Sequence, residues 1–216
     1  MSTLVECVPN FSEGRDKAKV DAIVEAMKMD GVFLLDREMD ADHNRCVITL
    51  VGDREPIMEA VLRGIGKAAE VIDLTKHQGA HPRMGATDVV PFIPIEGVTI
   101  EDCVQMAKHV GAEIWKRYQI PVYLYESAAT RPERTNLENI RRGQFEGIRD
   151  DIATNPARMP DFGDPRVYAR PQLRWRSMPG RLGLDQCAQI VVTFVHDSSL
   201  LIRPAQACAK HRPGTR

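Results

Sequence analysis

The amino-acid sequence predicts an α+β fold, and two observations favour this class. Short runs rich in Val, Ile and Leu predict strands, while three longer segments with apolar residues at helical spacing predict amphipathic helices. The chain has 216 residues, of which 43% are hydrophobic and 27% charged, as in an ordinary globular protein. This length suits one domain, or one domain and part of a second.

The first half of the chain alternates between strands and helices. Residues 4–9 predict a short strand that Pro9 closes, and residues 12–28 predict a helix with Ser12 as its cap. Residues 32–36 and 45–52 predict two further strands. Because the second of these is apolar at most positions, we expect it to be buried on both faces.

The second half adds two long helices. One begins near Pro56, which suits a first helical turn, and carries an apolar face as far as Ile72. The other begins at the approximate capping box of Thr99 and runs to Tyr118. Residues 89–94 and 121–125 predict strands, and the prolines of the former favour the edge of the sheet.

The predicted order is strand, helix, strand, strand, helix, strand, helix, strand. Two adjacent strands between helices, followed by a return through a crossover, are typical of the split βαβ pattern. We therefore expect a ferredoxin-like sandwich, in which an antiparallel sheet carries its helices on one face.

Composition excludes several classes of protein. No apolar run approaches the roughly 18 residues that a membrane helix needs, and the N-terminus lacks the basic and apolar regions of a signal peptide. We therefore expect a cytoplasmic protein with no membrane partner. The five cysteines are scattered without a CxxC pair, so we expect Cys7, Cys46 and Cys103 to be buried free thiols.

The C-terminal part of the chain is basic. From Arg166 onward, nine Arg or Lys residues face only Asp185 and Asp197. Such a tail can indicate nucleic-acid binding, but it lacks any recognisable DNA- or RNA-binding motif, so no nucleic-acid partner is expected. Residues 189–195 still have the composition of a strand.

Two polar loops in the first half of the chain are candidates for a site. In residues 9–15, backbone N–H groups at a helix start could hold a carboxylate, or the segment could be a simple capping turn. Residues 40–45 are more polar than a tight hairpin needs, and Arg45 could clamp a carboxylate in bidentate fashion. The alternative is a surface hairpin with a solvated charge cluster.

The loop at residues 77–88 concentrates the most chemistry, with two histidines, an arginine and an aspartate. The spacing of His77 and His81 could indicate a helical metal pair, but Gly79 and Pro82 argue against a helix, so no metal is expected. A general acid–base histidine fits better, with Asp88 or Asp42 orienting its ring. The alternative is a structural histidine in a Gly-rich turn.

A fourth loop, at residues 126–143, places Arg and Asn after a strand, where they could face a crevice or form a helix cap and a solvated face. The sequence contains no GxGxxG, Walker or GxSxG motif. The commonest nucleotide-binding and serine-hydrolase classes therefore lack support.

Six segments carry a family resemblance in their order and spacing: ECVPNFSEG (6–14), DHNR (42–45), HPRMGA (81–86), DVVPFIP (88–94), PVYLY (121–125) and RGQFE (142–146). Together they resemble the glutamate formiminotransferase family, which includes the transferase half of the bifunctional formiminotransferase–cyclodeaminase. The resemblance is nearly continuous from Leu4 to about Pro165. It implies two ferredoxin-like subdomains with a groove between them, and a homodimer.

The resemblance also implies a reaction, the transfer of a formimino group from N-formimino-L-glutamate to N5 of tetrahydrofolate in histidine degradation. The family's catalytic histidine falls on His81, and Asp40 and Arg45 are expected to support the reacting centre or the glutamate carboxylates. PDFG at 160–163 resembles the entry to the family's folate-contacting stretch. The residues expected to bind substrate or folate are Asn10, Asp42, Asn44, Arg83, Gly163 and Asp164.

Residues 1–165 are therefore interpreted as the N-terminal subdomain, and residues 166–216 as an atypical basic tail in place of the second subdomain. We interpret the change near Tyr168 as a reading-frame shift, because Ala169 to Arg181 can be re-read in a shifted frame to resemble the family continuation. Two hypotheses compete. The chain is an active transferase, alone or with a separate C-terminal chain, or it is an inactive folate-binding or dimerisation remnant.

Overall fold

The computed structural model describes residues 3–74, 76–151, 154–164 and 191–195, with the backbone alone at 149 and 191–195. The strands are β1 (Leu4–Cys7), β2 (Asn10–Phe11), β3 (Val32–Asp40), β4 (Arg45–Gly52), β5 (Thr87–Glu96), β6 (Val122–Glu126) and β7 (Val191–Val195). The helices are α1 (Lys17–Met27), α2 (Arg54–Val71), α3 (Ile100–Tyr118), α4 (Leu137–Arg141) and α5 (Gln144–Asp151). The predicted order of strands and helices is confirmed. The predicted boundary at 165 and the proposed frame shift at 169–181 fall outside the described residues.

One mixed sheet organises the fold. β1 and β2 follow one another along the same line, and both pair with β4 on one side and β5 on the other. β3 pairs with β4, and all these pairings are antiparallel. The predicted strand near 189–195 is confirmed as β7, which lies parallel between β5 and β6. The α+β class is therefore confirmed, with parallel pairing added at one side of the antiparallel sheet.

The position predicted for residues 89–94 at the sheet edge is wrong, because β5 lies between β1/β2 and β7. Proline lacks the N–H that a central strand uses for its ladder. Pro91 lies where β1 has ended and β2 has not begun, and its carbonyl oxygen accepts the N–H of Val8 there. Pro94 falls opposite Val5, next to a register shift. Both prolines therefore sit where the ladder is already interrupted.

The helices begin where side chains cap their free N–H groups. Thr99 and Asp102 form the predicted capping box of α3. The predicted start of the first helix at Ser12 is wrong, because α1 begins at Lys17 and Asp16 accepts its first N–H groups. The Ser12 hydroxyl instead donates to the Gly85 carbonyl at 2.7 Å, which ties the loop before α1 to the loop before β5.

The core lies between the sheet and the three long helices, where α1 packs on α2 and α2 on α3. The predicted burial of β4 on both faces is wrong, since buried and half-buried residues alternate along it. Cys7, Cys46 and Cys103 are buried free thiols, as predicted. None of the helices in the described part of the chain is both long and apolar enough to span a membrane.

Candidate active site

Three loops meet at the end of the sheet where β3 ends and where β4 and β5 begin. Asn44 lies at their junction, since its side-chain oxygen accepts the Gly14 N–H at 2.9 Å and its amide donates to the Gln78 carbonyl at 3.0 Å. A backbone hydrogen bond from Ala80 to Asp42 and a contact from the His77 ring to the Asn44 carbonyl add to this junction. The loop that carries His81 is therefore held against the β3–β4 hairpin.

A buried carboxylate forms the base of the site. Asp88 is fully buried, and its Oδ2 atom accepts hydrogen bonds from Arg45 at 2.6 Å and from Arg141 at 2.5 Å. The other oxygen, Oδ1, accepts the Met84 N–H at 2.8 Å. A buried carboxyl group is tolerated when it is paired in this way, and Asp88 anchors both guanidinium groups.

His81 lies beside this ion cluster. Its Nδ1 atom is 2.6 Å from the Pro82 carbonyl oxygen and 3.1 Å from an Arg45 nitrogen. Because a carbonyl oxygen can only accept, Nδ1 carries the ring proton, and Nε2 keeps a lone pair that no described residue engages. Burial, and then the nearby charge of Arg45, lower the pKa of His81. The ring is therefore neutral near pH 7 and able to accept a proton.

A second histidine faces His81. The ring of His43 stands edge-on to that of His81, with centroids 6.0 Å apart. Its Nδ1 atom lies 2.6 Å from Asp40 Oδ2, and Asp40 Oδ1 accepts the backbone N–H groups of Asp42 and His43. Hydrogen bonds from the backbone and ring of His43 lower the pKa of Asp40. Asp40 is therefore an anion that orients His43.

These side chains line a pocket of about 590 Å³, formed by Glu38, Met39, Asp40, His43, Arg45, Val47 and His81. The volume lies in the range of small-molecule sites. The structure thus brings the three predicted catalytic residues, His81, Asp40 and Arg45, to one pocket that presents a basic nitrogen, a cation and a carboxylate.

The other predicted site residues have varied surroundings. Asn10 lies at the pocket, where its side-chain oxygen accepts a hydrogen bond from Arg45 Nε at 3.0 Å. Asp42 is exposed on the hairpin beside it. Arg83 forms an ion pair with Glu146 at 2.7 Å. The structure engages both ends of the Asn44 amide in the loop junction described above, so this side chain already has protein partners.

Gly163 and Asp164 lie elsewhere at the same end of the sheet. A Cβ on Gly163 would approach Pro121, which precedes β6. The register through β7 puts Val89 level with Tyr123, so the start of β6 lies two strand positions from the start of β5. The segment expected to contact folate therefore lies at the same end of the sheet as the His81 loop, displaced sideways by two strand positions.

In the residues that the structure describes, no group of three or more His, Cys, Asp or Glu side chains is arranged to hold a metal ion. Sequence reasoning left two contributors out of the site, His43 and Arg141. The spacing of Asp40 and His43 within one hairpin was the available signal for the first. For Arg141 the only signal in the sequence was its position in a polar loop, because its partner Asp88 is 53 residues away.

An α+β domain that gathers a neutral histidine, an arginine and a carboxylate around one pocket has the side chains that an enzyme using general acid–base catalysis needs. Comparison of the chain with known protein families is more specific. The family model for the formiminotransferase domain, N-terminal subdomain, matches residues 4–171. The chain belongs to this family.

Several relatives agree with this assignment. The chain is 49% identical over 169 residues to a glutamate formimidoyltransferase of Streptococcus pyogenes serotype M1, covering 78% of this chain and 56% of that protein. It is 47% identical over 164 residues to one of Thermoplasma acidophilum, covering 74% and 54%. A formimidoyltransferase-cyclodeaminase of Mus musculus is 45% identical over 164 residues, covering 76% and 30%. The chain thus spans about half the length of the two formimidoyltransferases.

Proposed function

We propose that this chain carries the catalytic half of a glutamate formimidoyltransferase, which moves a formimino group from N-formimino-L-glutamate to N5 of tetrahydrofolate. One observation carries the proposal. His81 is held by its Nδ1 atom on the Pro82 carbonyl, with Arg45 on that side of the ring, and its Nε2 atom has no partner among the described residues in a pocket of suitable size. A basic nitrogen in such a pocket is what proton transfer at a tetrahedral centre needs.

His81 acts as the base and then as the acid. Tetrahydrofolate supplies N5 as the nucleophile toward the formimino carbon. Nε2 takes the proton that N5 loses as the new C–N bond forms, and returns it to the glutamate nitrogen as the old C–N bond breaks. Such help is worth about 10²–10⁴-fold in rate, and the positioning of both substrates supplies much of the rest.

Arg45 and Asp40 support the reacting centre. Arg45 is fixed at two points, by Asn10 and Asp88, and lies beside the His81 ring, so its position costs little reorganisation during the reaction. Asp40 holds His43 at the pocket wall. A cationic group and an anionic group in the pocket that His81 lines can balance the charge that develops as the formimino carbon becomes tetrahedral.

The wider setting follows the same proposal. The chain acts in histidine degradation in the cytoplasm, with Gly163 and Asp164 on the folate side, and it forms a homodimer. The strand order β5, β1/β2, β4, β3 supports a ferredoxin-like assignment of the N-terminal subdomain, residues 1–165. The exposed apolar residues of β3 support self-association. A second subdomain, covalent or separate, completes the groove.

The test mixes the purified chain with tetrahydrofolate and N-formimino-L-glutamate and follows the formation of formimino-tetrahydrofolate. We expect turnover by the wild type, a loss of about 10²-fold or more in His81→Ala, and no change in His109→Ala. His109 is a matched control, because it is exposed on α3.

Two results contradict the proposal. Equal rates in His81→Ala and wild type would show that His81 is not the base. A folded wild type without turnover, even after a second subdomain from a relative is added, would show that the chain lacks the proposed activity. Binding of tetrahydrofolate without turnover would favour the alternative, an inactive folate-binding remnant.

A further inference from the structure

We infer that Arg141 is a further carboxylate-binding residue of this site, and that Asp88 is the positioning residue that holds it beside Arg45. The inference rests on the proposed function, because it assigns the glutamate part of the donor substrate to these two guanidinium groups. Arg141 ends α4, far along the chain from the loops that form the rest of the pocket.

Asp88 dictates where the two arginines lie. Both guanidinium groups bond the same oxygen, Oδ2, so one nitrogen of Arg45 and one of Arg141 flank a single atom. Because Asp88 is fully buried and its other oxygen is used by Met84, neither arginine can be released without leaving the carboxylate underpaired. The cluster therefore presents two adjacent cations from separate elements, β4 and α4.

The charges of the cluster do not balance. Two guanidinium groups share one carboxylate, and His81 adds no negative charge. Asp40 and Glu38 add negative charge elsewhere in the pocket, but no hydrogen bond among the described residues joins either of them to Arg45 or Arg141. Within the Asp88 cluster itself, one positive charge therefore remains. A carboxylate is the anion that complements it, and paired arginines bind carboxylates with good geometry.

Arg141 also keeps donors for a ligand. It uses one terminal nitrogen on Asp88, while its Nε atom is buried without a hydrogen-bond partner among the described residues. Because that Nε atom is shielded, the donors left for a ligand are those of the other terminal nitrogen, which bonds no described residue. The Arg141 side chain is 20% exposed and the Arg45 side chain 12%, so both reach the surface of the site.

A second arginine-rich cavity, of about 400 Å³ between residues 123 and 158, lacks these properties. Arg134 there is bonded to Asp161 and the Met159 carbonyl, and Arg158 to the Ile140 and Arg142 carbonyls. These donors tie protein segments together. The excess charge at Asp88 is therefore not a general property of the arginines in this region.

The test measures binding of L-glutamate to the full chain by calorimetry, with three variants. We expect Arg141→Gln to weaken binding about tenfold or more, and Arg141→Lys to retain part of the affinity because it keeps the charge without the planar fork. Arg142→Gln is the matched control. Arg142 is the next residue, is exposed, and contacts Asn139 rather than Asp88, so binding should not change.

A second readout separates positioning from mere stability. The groups that face His81 are Arg45 on β4, Asp88 on β5, Arg141 on α4 and His43 on the hairpin. By imidazole NMR, the pKa of His81 should fall in Asp88→Asn and rise in Arg141→Gln, because the charge of Asp88 raises it and that of Arg141 lowers it. Arg142→Gln should leave it in place.

The possible results distinguish a failure of this inference from a failure of the proposed function. L-glutamate binding that depends on Arg141, without turnover, keeps the inference and removes the activity. Turnover with equal glutamate affinity in Arg141→Gln and Arg142→Gln removes the inference and keeps the activity. Failure of the folded wild type to bind L-glutamate also overturns it, as does an unmoved pKa of His81 in both cluster variants.

Discussion

The side-chain oxygen of Asn44 accepts the backbone N–H of Gly14 across 30 residues of sequence, at 2.9 Å. The amide nitrogen of the same side chain reaches Gln78 in a third loop. Asn44 has a positive φ of 50°, a backbone conformation that Asn adopts more readily than most residues. One side chain therefore fixes the relative positions of three loops that surround the candidate active site.

Replacing Asn44 with Ala should lower the free energy of unfolding by about 3 kcal/mol, because two hydrogen bonds are lost and Ala is strained at positive φ. Urea unfolding followed by circular dichroism measures this change. Asn139→Ala, which removes an exposed hydrogen bond to the Glu133 carbonyl and a long 3.5 Å contact from Arg142, should cost about 0.5 kcal/mol. Similar losses in the two variants would show that Asn44 does not join the loops.

Gly79→Ala should displace the His81 loop from the hairpin. A Cβ at residue 79 would lie 2.2 Å from the His43 carbonyl oxygen and 3.0 Å from Asn44 Cβ, so backbone has to move. We expect both lower stability and a fall in transferase rate of about tenfold or more, since loop placement sets reactive geometry. Gly147→Ala on α5 is the control, because its nearest contact would be an ordinary 3.7 Å. A Gly79→Ala protein as active and stable as this control would contradict the close contact.

On the acid side of the pH–rate profile, activity should fall at a pH lower than the ordinary pKa of a histidine side chain, 6.5. Burial and Arg45 lower the pKa of His81 from 6.5, so the neutral base persists at lower pH. The same shift means that the unfolded chain binds this proton more readily than the folded protein. His81 therefore contributes stability that is present above the unfolded pKa and is lost as pH falls through the folded pKa.

His81→Gln should accordingly make the unfolding free energy less sensitive to pH below 6.5, which denaturant titrations at several pH values measure. An NMR titration of the wild-type ring gives the folded pKa directly. A midpoint at or above 6.5 would contradict the predicted direction.

Self-association should depend on β3. Phe33 and Leu35 are 65% and 60% exposed, and within the described residues β3 pairs only with β4, which leaves an apolar strand edge unpaired. We expect Phe33→Asp to shift the chain toward monomer in sedimentation velocity, whereas Glu25→Lys on the exposed side of α1 should not. A dimer that survives Phe33→Asp unchanged would place the interface elsewhere.

Local signals account for what the sequence could predict. α2 and α3 were predictable because helical periodicity and a capping box each depend on residues that are close together in the sequence. The start of α1 was missed because Ser12 and Asp16 are both good caps. The choice between them depends on Gly85, which is 73 residues away from Ser12.

The site was predictable in part for the same reason. His81, Asp40 and Arg45 stand in polar loops that resemble family segments, and the structure brings them together. The Asp88–Arg141 pair depends on α4 folding back onto β5, a long-range contact that leaves no periodicity or spacing in the sequence. The position of β5 inside the sheet could not be predicted for the same reason. The break between β1 and β2 that accommodates Pro91 depends on how the strands pair, and the local sequence does not show it.

β7 gives the predicted tail a part in the architecture. Among the described residues, β6 is joined to β5 through the backbone of 191–195, and the segment after β6 carries Arg141 to Asp88. If the chain were cut after 165, β6 would lose its neighbour, and the second arginine would lose the strand that steadies its approach. The strand at 191–195, which lies beyond the family match at 4–171, thus supports the part of the sheet next to the candidate active site.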